Sequence, residues 1–170
     1  MVANQLRVAI GMAIAAVVVW LAWAGPLHPH IVLPLDNPGS RLAFVAKWLL
    51  VPGLALLVGI GTVASRRFFS ADAIDGTRAP ESRTLEINLR YNQNTLEQAV
   101  LVLFAWPLLA LLLPATQLGL VPVLAVLFGF GRFAFWIGYL LAPWARAFGF
   151  GLTFYPTVTV YIWLAILVLR

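Results

Sequence analysis

Residues 85–113 read LEINLRYNQNTLEQAVLVLFAWPLLALLL, a stretch dense in amides and charges that passes directly into an unbroken apolar run. A bilayer-spanning helix needs about 20 apolar residues. Here the apolar half runs from Leu96 to Leu113, and the polar half from about Thr84 supplies the first turns of the same helix. On a helix each residue advances by about 100°, so Glu86, Arg90, Asn94 and Glu97 fall within roughly 80° of one another, with Gln93 beside them. The stretch therefore predicts a membrane helix whose mouth carries a single polar stripe.

Working outward, four further apolar runs can cross a membrane: about Leu6–Ala24, Leu42–Ala64, Leu118–Leu141 and Leu152–Leu169. The composition agrees. Of the 170 residues, 62% are hydrophobic and 10% charged, against about 25% charged in soluble domains, and mean hydropathy is +0.95. Lipid must cover much of such a chain. The expected fold is an all-α integral membrane protein with five spans. The run before Ala22-Trp23-Ala24 also resembles a signal sequence with its cleavage site, but its basic start holds only Arg7 and the amine, which favours a retained helix.

Net charge is +5 and the pI is near 10.5, yet no basic run interleaved with polar residues is present, so nucleic acid is not an expected partner. Arginines flanking spans more often set orientation. Arg7, Arg66, Arg67, Arg78, Arg83, Arg90 and Arg146 fall at one end of a five-span chain, and Arg41, Lys47 and Arg170 at the other. The positive-inside rule places the first group, with the N-terminus and the polar stripe, in the cytoplasm. A bacterial inner membrane or its equivalent is the expected location. There are no cysteines and only two histidines, His28 and His30, in a proline-rich loop. No metal site is expected, and any thiol chemistry needs a thiol brought by a ligand.

The stripe has two readings. It can be the solvated start of an amphipathic helix, with Glu86–Arg90 an ordinary pair one turn apart. It is also what a zwitterionic ligand requires, since arginine grips carboxylates and asparagine offers both donor and acceptor. Arg132 lies inside the fourth apolar run. Arginine at a helix centre costs roughly 2.5–3.5 kcal/mol on insertion scales, so it must face protein or an anion. An Arg132–Glu97 ion pair is the simplest solution. Tyr139 shares the face of Arg132, or anchors the helix at the interface. Arg146 is expected in a loop of residues 142–151, and Trp106-Pro107 and Tyr155-Pro156 are expected at kinks or helix starts.

With these residues in view, residues 42–170 resemble the MAPEG family, the membrane-associated proteins in eicosanoid and glutathione metabolism. The spacing Glu86, Arg90, Asn94, Glu97 is similar to the motif opening that family's second helix, and Gly131-Arg132 to Gly138-Tyr139 to its third-helix motif. Arg146 stands where leukotriene C4 synthase has the arginine that activates the thiol. The resemblance implies two parts: an extra transmembrane helix and loop over residues 1–41, and a MAPEG-like four-helix membrane domain over 42–170. It also implies a homotrimer, with glutathione as co-substrate bound between neighbouring subunits near the cytoplasmic face. Glutathione would be held by Arg90, Asn94, Glu97, Arg132 and Tyr139, with Glu86 and Gln93 at the same site, and Arg146 would stabilise the thiolate.

The activity so implied is a glutathione-dependent transferase or peroxidase acting on hydrophobic electrophiles or lipid hydroperoxides. Three departures stand out: the first helix has no counterpart, Gln93 replaces a basic residue found in some members, and Phe135 stands where prostaglandin E synthase has a histidine. The last argues against that specific activity. A non-catalytic lipid-binding or scaffold member is the alternative. Small-solute transport lacks the matched broken helices of inverted-repeat transporters.

Overall fold

The computed structural model describes residues 2–24, 37–69 and 82–169. The loop histidines His28 and His30, the polar residues Asp72, Asp75, Gly76, Arg78, Pro80 and Glu81, and the terminal Arg170 lie outside the described residues. All regular structure among the described residues is helical: α1 (Val2–Ala24), α2 (Pro38–Trp48), α3 (Leu50–Phe69), α4 (Arg83–Leu112), a 3-10 turn (Ala115–Gln117), α5 (Leu120–Leu141) and α6 (Arg146–Val168). Five stretches are long and apolar enough to cross a bilayer, with α2 and α3 forming a single span, Pro38–Phe69. The chain is an all-α, multi-pass integral membrane protein.

Several helix limits differ from the sequence expectation for identifiable reasons. The second span is longer than residues 42–64. It begins at Asn37, whose side chain accepts from Ser40 N at 2.8 Å, with Pro38 at the first helical position, where its missing N–H costs nothing. It is interrupted at Leu49, three residues before Pro52. A proline ring clashes with the carbonyl four residues back, here that of Trp48, and α2 stops at that residue. Pro107 and Pro156, by contrast, lie inside the continuous helices α4 and α6 rather than at starts. Neighbouring helices support an interrupted hydrogen-bond ladder in a membrane.

Arg146, too, differs from expectation: it is not in a loop. Helix α6 begins at that residue, so the connection from α5 is short. The cause is close packing of α5 on α6. Gly149, read as a loop glycine, is helical because α5 passes against it: an added Cβ would fall on Phe135 N and within 2.6 Å of Phe135 Cα. Gly131 and Gly138 of α5 also lie close against α6 and its lead-in, where an added Cβ would come within 2.8 Å of Thr153 Cγ2 and 2.6 Å of Ala145 O. Small residues that let backbones approach are what drive helix association in lipid, where no hydrophobic effect separates helix from solvent.

The main core lies between α4, α5 and α6, around Trp106, Leu109, Leu124, Phe128 and Val160, with Val45 of α2 closing one end. Trp106 and Phe128 meet edge-on at 6.4 Å. Arg41 at the start of α2 donates to the carbonyls of Ala110 (3.1 Å) and Leu113 (2.6 Å), tying the second span to the otherwise unsatisfied end of α4. Helix α1 stands outside this core and packs on α6 and α5. Its small residues face α6: a Cβ at Gly151 would meet Ala15 Cβ at 2.7 Å, and a Cβ at Gly11 would meet Phe148 N at 3.3 Å. At its other end Trp23 meets Trp163 at 5.8 Å.

The glycine crossing makes a direct prediction. Gly149→Leu should destabilise the folded chain by about 3 kcal/mol or more, since overpacking against backbone cannot relax as a side chain would. Gly61→Ala, where an added Cβ meets nothing within 4 Å, should be neutral or stabilising by up to about 1 kcal/mol. Reversible unfolding in mixed micelles measures both.

Candidate functional site

Helix α4 opens with Ser82 as N-cap, its hydroxyl accepting from Leu85 N at 3.2 Å. From there the stripe projects as the spacing requires. Glu86 and Arg90 form an exposed ion pair at 2.9 Å, with side chains 48% and 60% accessible. Such a pair adds little stability. One turn on, Gln93 Nε2 donates to Glu97 Oε1 at 2.9 Å, and Asn94 Nδ2 to Glu97 Oε2 at 3.4 Å. Glu97 at the edge of the apolar run is thus solvated by two amides.

The expected Arg132–Glu97 ion pair does not form. Asn94 stands between them. Arg132 NH1 donates to Asn94 Oδ1 at 2.7 Å and NH2 to Thr153 Oγ1 of α6 at 2.8 Å. The guanidinium also lies 4.6 Å from the ring of Phe135 and 5.9 Å from that of Phe128. At 1% exposure the cation is held by neutral oxygens and ring faces, and its Nε has no partner among the described residues. Because Arg132 claims the amide oxygen of Asn94, the amide nitrogen must turn toward Glu97. Glu97, Asn94, Arg132 and Thr153 form one relay across three helices.

A cavity of about 520 Å3 adjoins this relay. Its polar wall is Arg90, Gln93, Asn94 and Glu97 of α4, with Arg146 at the first turn of α6. Phe135, Pro143, Ala147 and Phe150 supply apolar surface from the α5–α6 hairpin, and Val8 and Met12 from α1. Arg146 is half-buried, its guanidinium 4.4 Å from the ring of Tyr139. No side chain caps the first turn of α6, so its partial positive charge adds to that of Arg146 on the same side.

Five of the eight residues singled out in the sequence therefore share one cavity wall: Arg90, Gln93, Asn94, Glu97 and Arg146. The other three are not in its lining. Glu86 pairs with Arg90 from outside, Arg132 acts on Asn94 from behind, and Tyr139 lies under Arg146. Sequence reasoning missed Thr153, although a threonine in an apolar span is itself a sign of an interhelical bond. It missed Asn88 too, which accepts from Trp136 Nε1 at 3.0 Å on the far face of α4. It also missed Val8 and Met12, which carry no chemical signature. Among the described residues no cluster of metal-ligating side chains occurs.

The relay can be tested by its coupling. Asn94→Leu strips a partner from a buried cation and should cost about 1.5–3 kcal/mol. Arg132→Met removes the charge as well, and Asn94→Leu in that background should cost far less. A coupling energy near zero in this double-mutant cycle, read by unfolding in micelles, would disprove the relay.

Residues 42–167 match the MAPEG family, which takes in α3 to α6 and the larger part of α2 but not α1. The chain is also similar to Transmembrane protein 79 of Mus musculus, at 27% identity over 139 residues, covering 79% of this chain and 35% of that protein. The Bos taurus protein of the same name is 32% identical with the same coverage. The chain thus spans about a third of the length of these curated relatives. No solved structure matches it.

Proposed function

The chain belongs to the MAPEG family, and on that premise we propose that it is a membrane-bound glutathione-dependent transferase or peroxidase acting on hydrophobic electrophiles or lipid hydroperoxides. The observation that carries this reading is the two-sided cavity. One wall offers two guanidinium groups, two amides and a carboxylate, and the rest is apolar. Its volume of about 520 Å3 lies within the range of small-molecule sites, about 300–1,000 Å3.

The wall offers partners for several of the polar groups of glutathione. Arg90 suits a carboxylate, Glu97 an ammonium, and Gln93 and Asn94 the peptide groups. Arg132 is a positioning residue, acting through Asn94. A free thiol has a pKa of about 8.5, and Arg146 at the uncapped first turn of α6 favours the thiolate. In transfer, the thiolate sulfur bonds to the electrophilic carbon as that carbon's leaving group departs with its electron pair. In peroxide reduction, the sulfur takes the distal oxygen, the O–O bond breaks to give an alcohol, and a second thiol converts the sulfenic acid to disulfide and water.

Family membership further supports a homotrimer, and the clustered arginines support a cytoplasmic site, in a bacterial inner membrane or an equivalent membrane elsewhere. A non-catalytic lipid-binding or scaffold role is the second reading, favoured by the predominance of apolar side chains in the cavity.

Calorimetric titration of the purified chain with glutathione separates these readings. Arg90→Ala should weaken binding about tenfold or more, the worth of one charge-assisted hydrogen bond. Bound glutathione should show thiolate ultraviolet absorbance at neutral pH, lost in Arg146→Ala. Equal binding by wild type and Arg90→Ala removes the site. Binding without thiolate leaves the lipid-binding role.

A further inference from the structure

Helix α1 and helix α4 both line the cavity, yet α1 packs on α6 and α5 rather than along α4. The cavity therefore occupies the space between them. What α1 contributes is purely apolar, Val8 and Met12, while α4 contributes the polar stripe. A second hollow of about 440 Å3 adjoins the first, bounded by Asn4, Gln5, Val8 and Ala9 of α1 and by Pro143 and Trp144. Val8 and Pro143 belong to both linings, so these two side chains are the partition between the hollows.

The position of α1 is built rather than incidental. Gly11 and Ala15 seat it against Phe148 and Gly151 of α6. At the cavity end Arg7 lies 5.1 Å from the ring of Trp144, a cation–π contact that holds the start of α1 to the α5–α6 connection. A helix fixed at both the crossing and the mouth can define the width of the space beside it.

We propose that α1 is the substrate-selecting wall of this site: the apolar chain of the second substrate lies between Val8 and Met12 of α1 and Phe135 and Phe150 of the α5–α6 hairpin. This rests on the glutathione reading, which supplies the occupant of the polar wall. The occupant of the apolar wall is an alkyl or acyl chain, because the surface offered is aliphatic and aromatic and opens beside the thiol position. Met12 sets the depth available to the chain, and Val8 with Pro143 sets whether a longer chain continues into the second hollow.

The test uses the full-length chain in micelles, with glutathione, S-methylglutathione, S-hexylglutathione and S-decylglutathione as probes. Affinity should rise with chain length in the wild type, up to about fourfold per buried methylene. In Met12→Trp, which fills the space, the ratio of S-decylglutathione to glutathione affinity should fall at least about tenfold, while Met12→Ala should keep or raise it. A second readout exploits the absence of cysteine from the chain. In Met12→Cys, S-decylglutathione should slow alkylation by a maleimide several-fold and S-methylglutathione should not. Ile14→Cys, on a side of α1 that is 52% exposed, should react equally with either present. If glutathione binds the wild type but the affinity ratio and the protection ignore Met12, the role of α1 is overturned alone. If neither glutathione nor its conjugates bind, the glutathione reading and this inference both fall.

Discussion

A guanidinium inside a membrane helix must find its hydrogen bonds in its neighbours, and the placement of α4, α5 and α6 around Arg132 meets that demand at both terminal nitrogens. Two donors go to neutral oxygens, Asn94 Oδ1 on α4 and Thr153 Oγ1 on α6, and two ring faces lie beside the cation. No carboxylate touches it directly. The consequence is directional. Thr153 can reach only because α6 crosses α5 at Gly131 and Gly149, where side chains would keep the backbones apart. Asn94 can serve only with its oxygen inward, which turns its nitrogen toward Glu97. One buried charge thereby fixes the helix register and the chemistry presented to the cavity.

Much of this was readable from the sequence because the relevant signals are periodic. The spans follow from apolar runs whose length the bilayer dictates, and the stripe from the 100° advance of a helix. Arg132 was conspicuous because a charge there is expensive. What could not be read was pairing across helices. An arginine and a glutamate on facing spans suggest an ion pair, and only the geometry shows that Asn94 intervenes. The start of α6 was misplaced for a similar reason. Gly149 and Gly151 look like loop residues locally, but they are the contact surface for α5 and α1. The long span 38–69 was underestimated because its ends are polar: Asn37 caps it at one end, and α3 carries Ser65, Arg66 and Arg67 within its last turns at the other.

Helix α1 was the least legible element, and the reason is physical. Its cavity-facing residues, Val8 and Met12, are what any lipid-facing helix would carry. Its packing residues, Gly11 and Ala15, are small and four apart, the spacing for close helix approach, yet that spacing does not reveal which helix is approached. Residues 42–167 match the family without it. Here α1 closes one side of the cavity within the same chain.

The position of Arg146 bears most directly on whether such a site can do chemistry. In a loop, a guanidinium would be an adjustable countercharge, free to follow solvent. On the first turn of α6 it is held, half-buried, against the Tyr139 ring at 4.4 Å, and it shares its side of the cavity with the uncapped start of a helix. Both sources of positive potential are fixed before any ligand arrives. Preorganised charge of this kind is worth more than mobile charge, because it need not reorganise when a thiolate forms. The polar wall thus takes its amides and carboxylate from α4 and its fixed positive corner from α6, so the packing of α4 against α6 sets both.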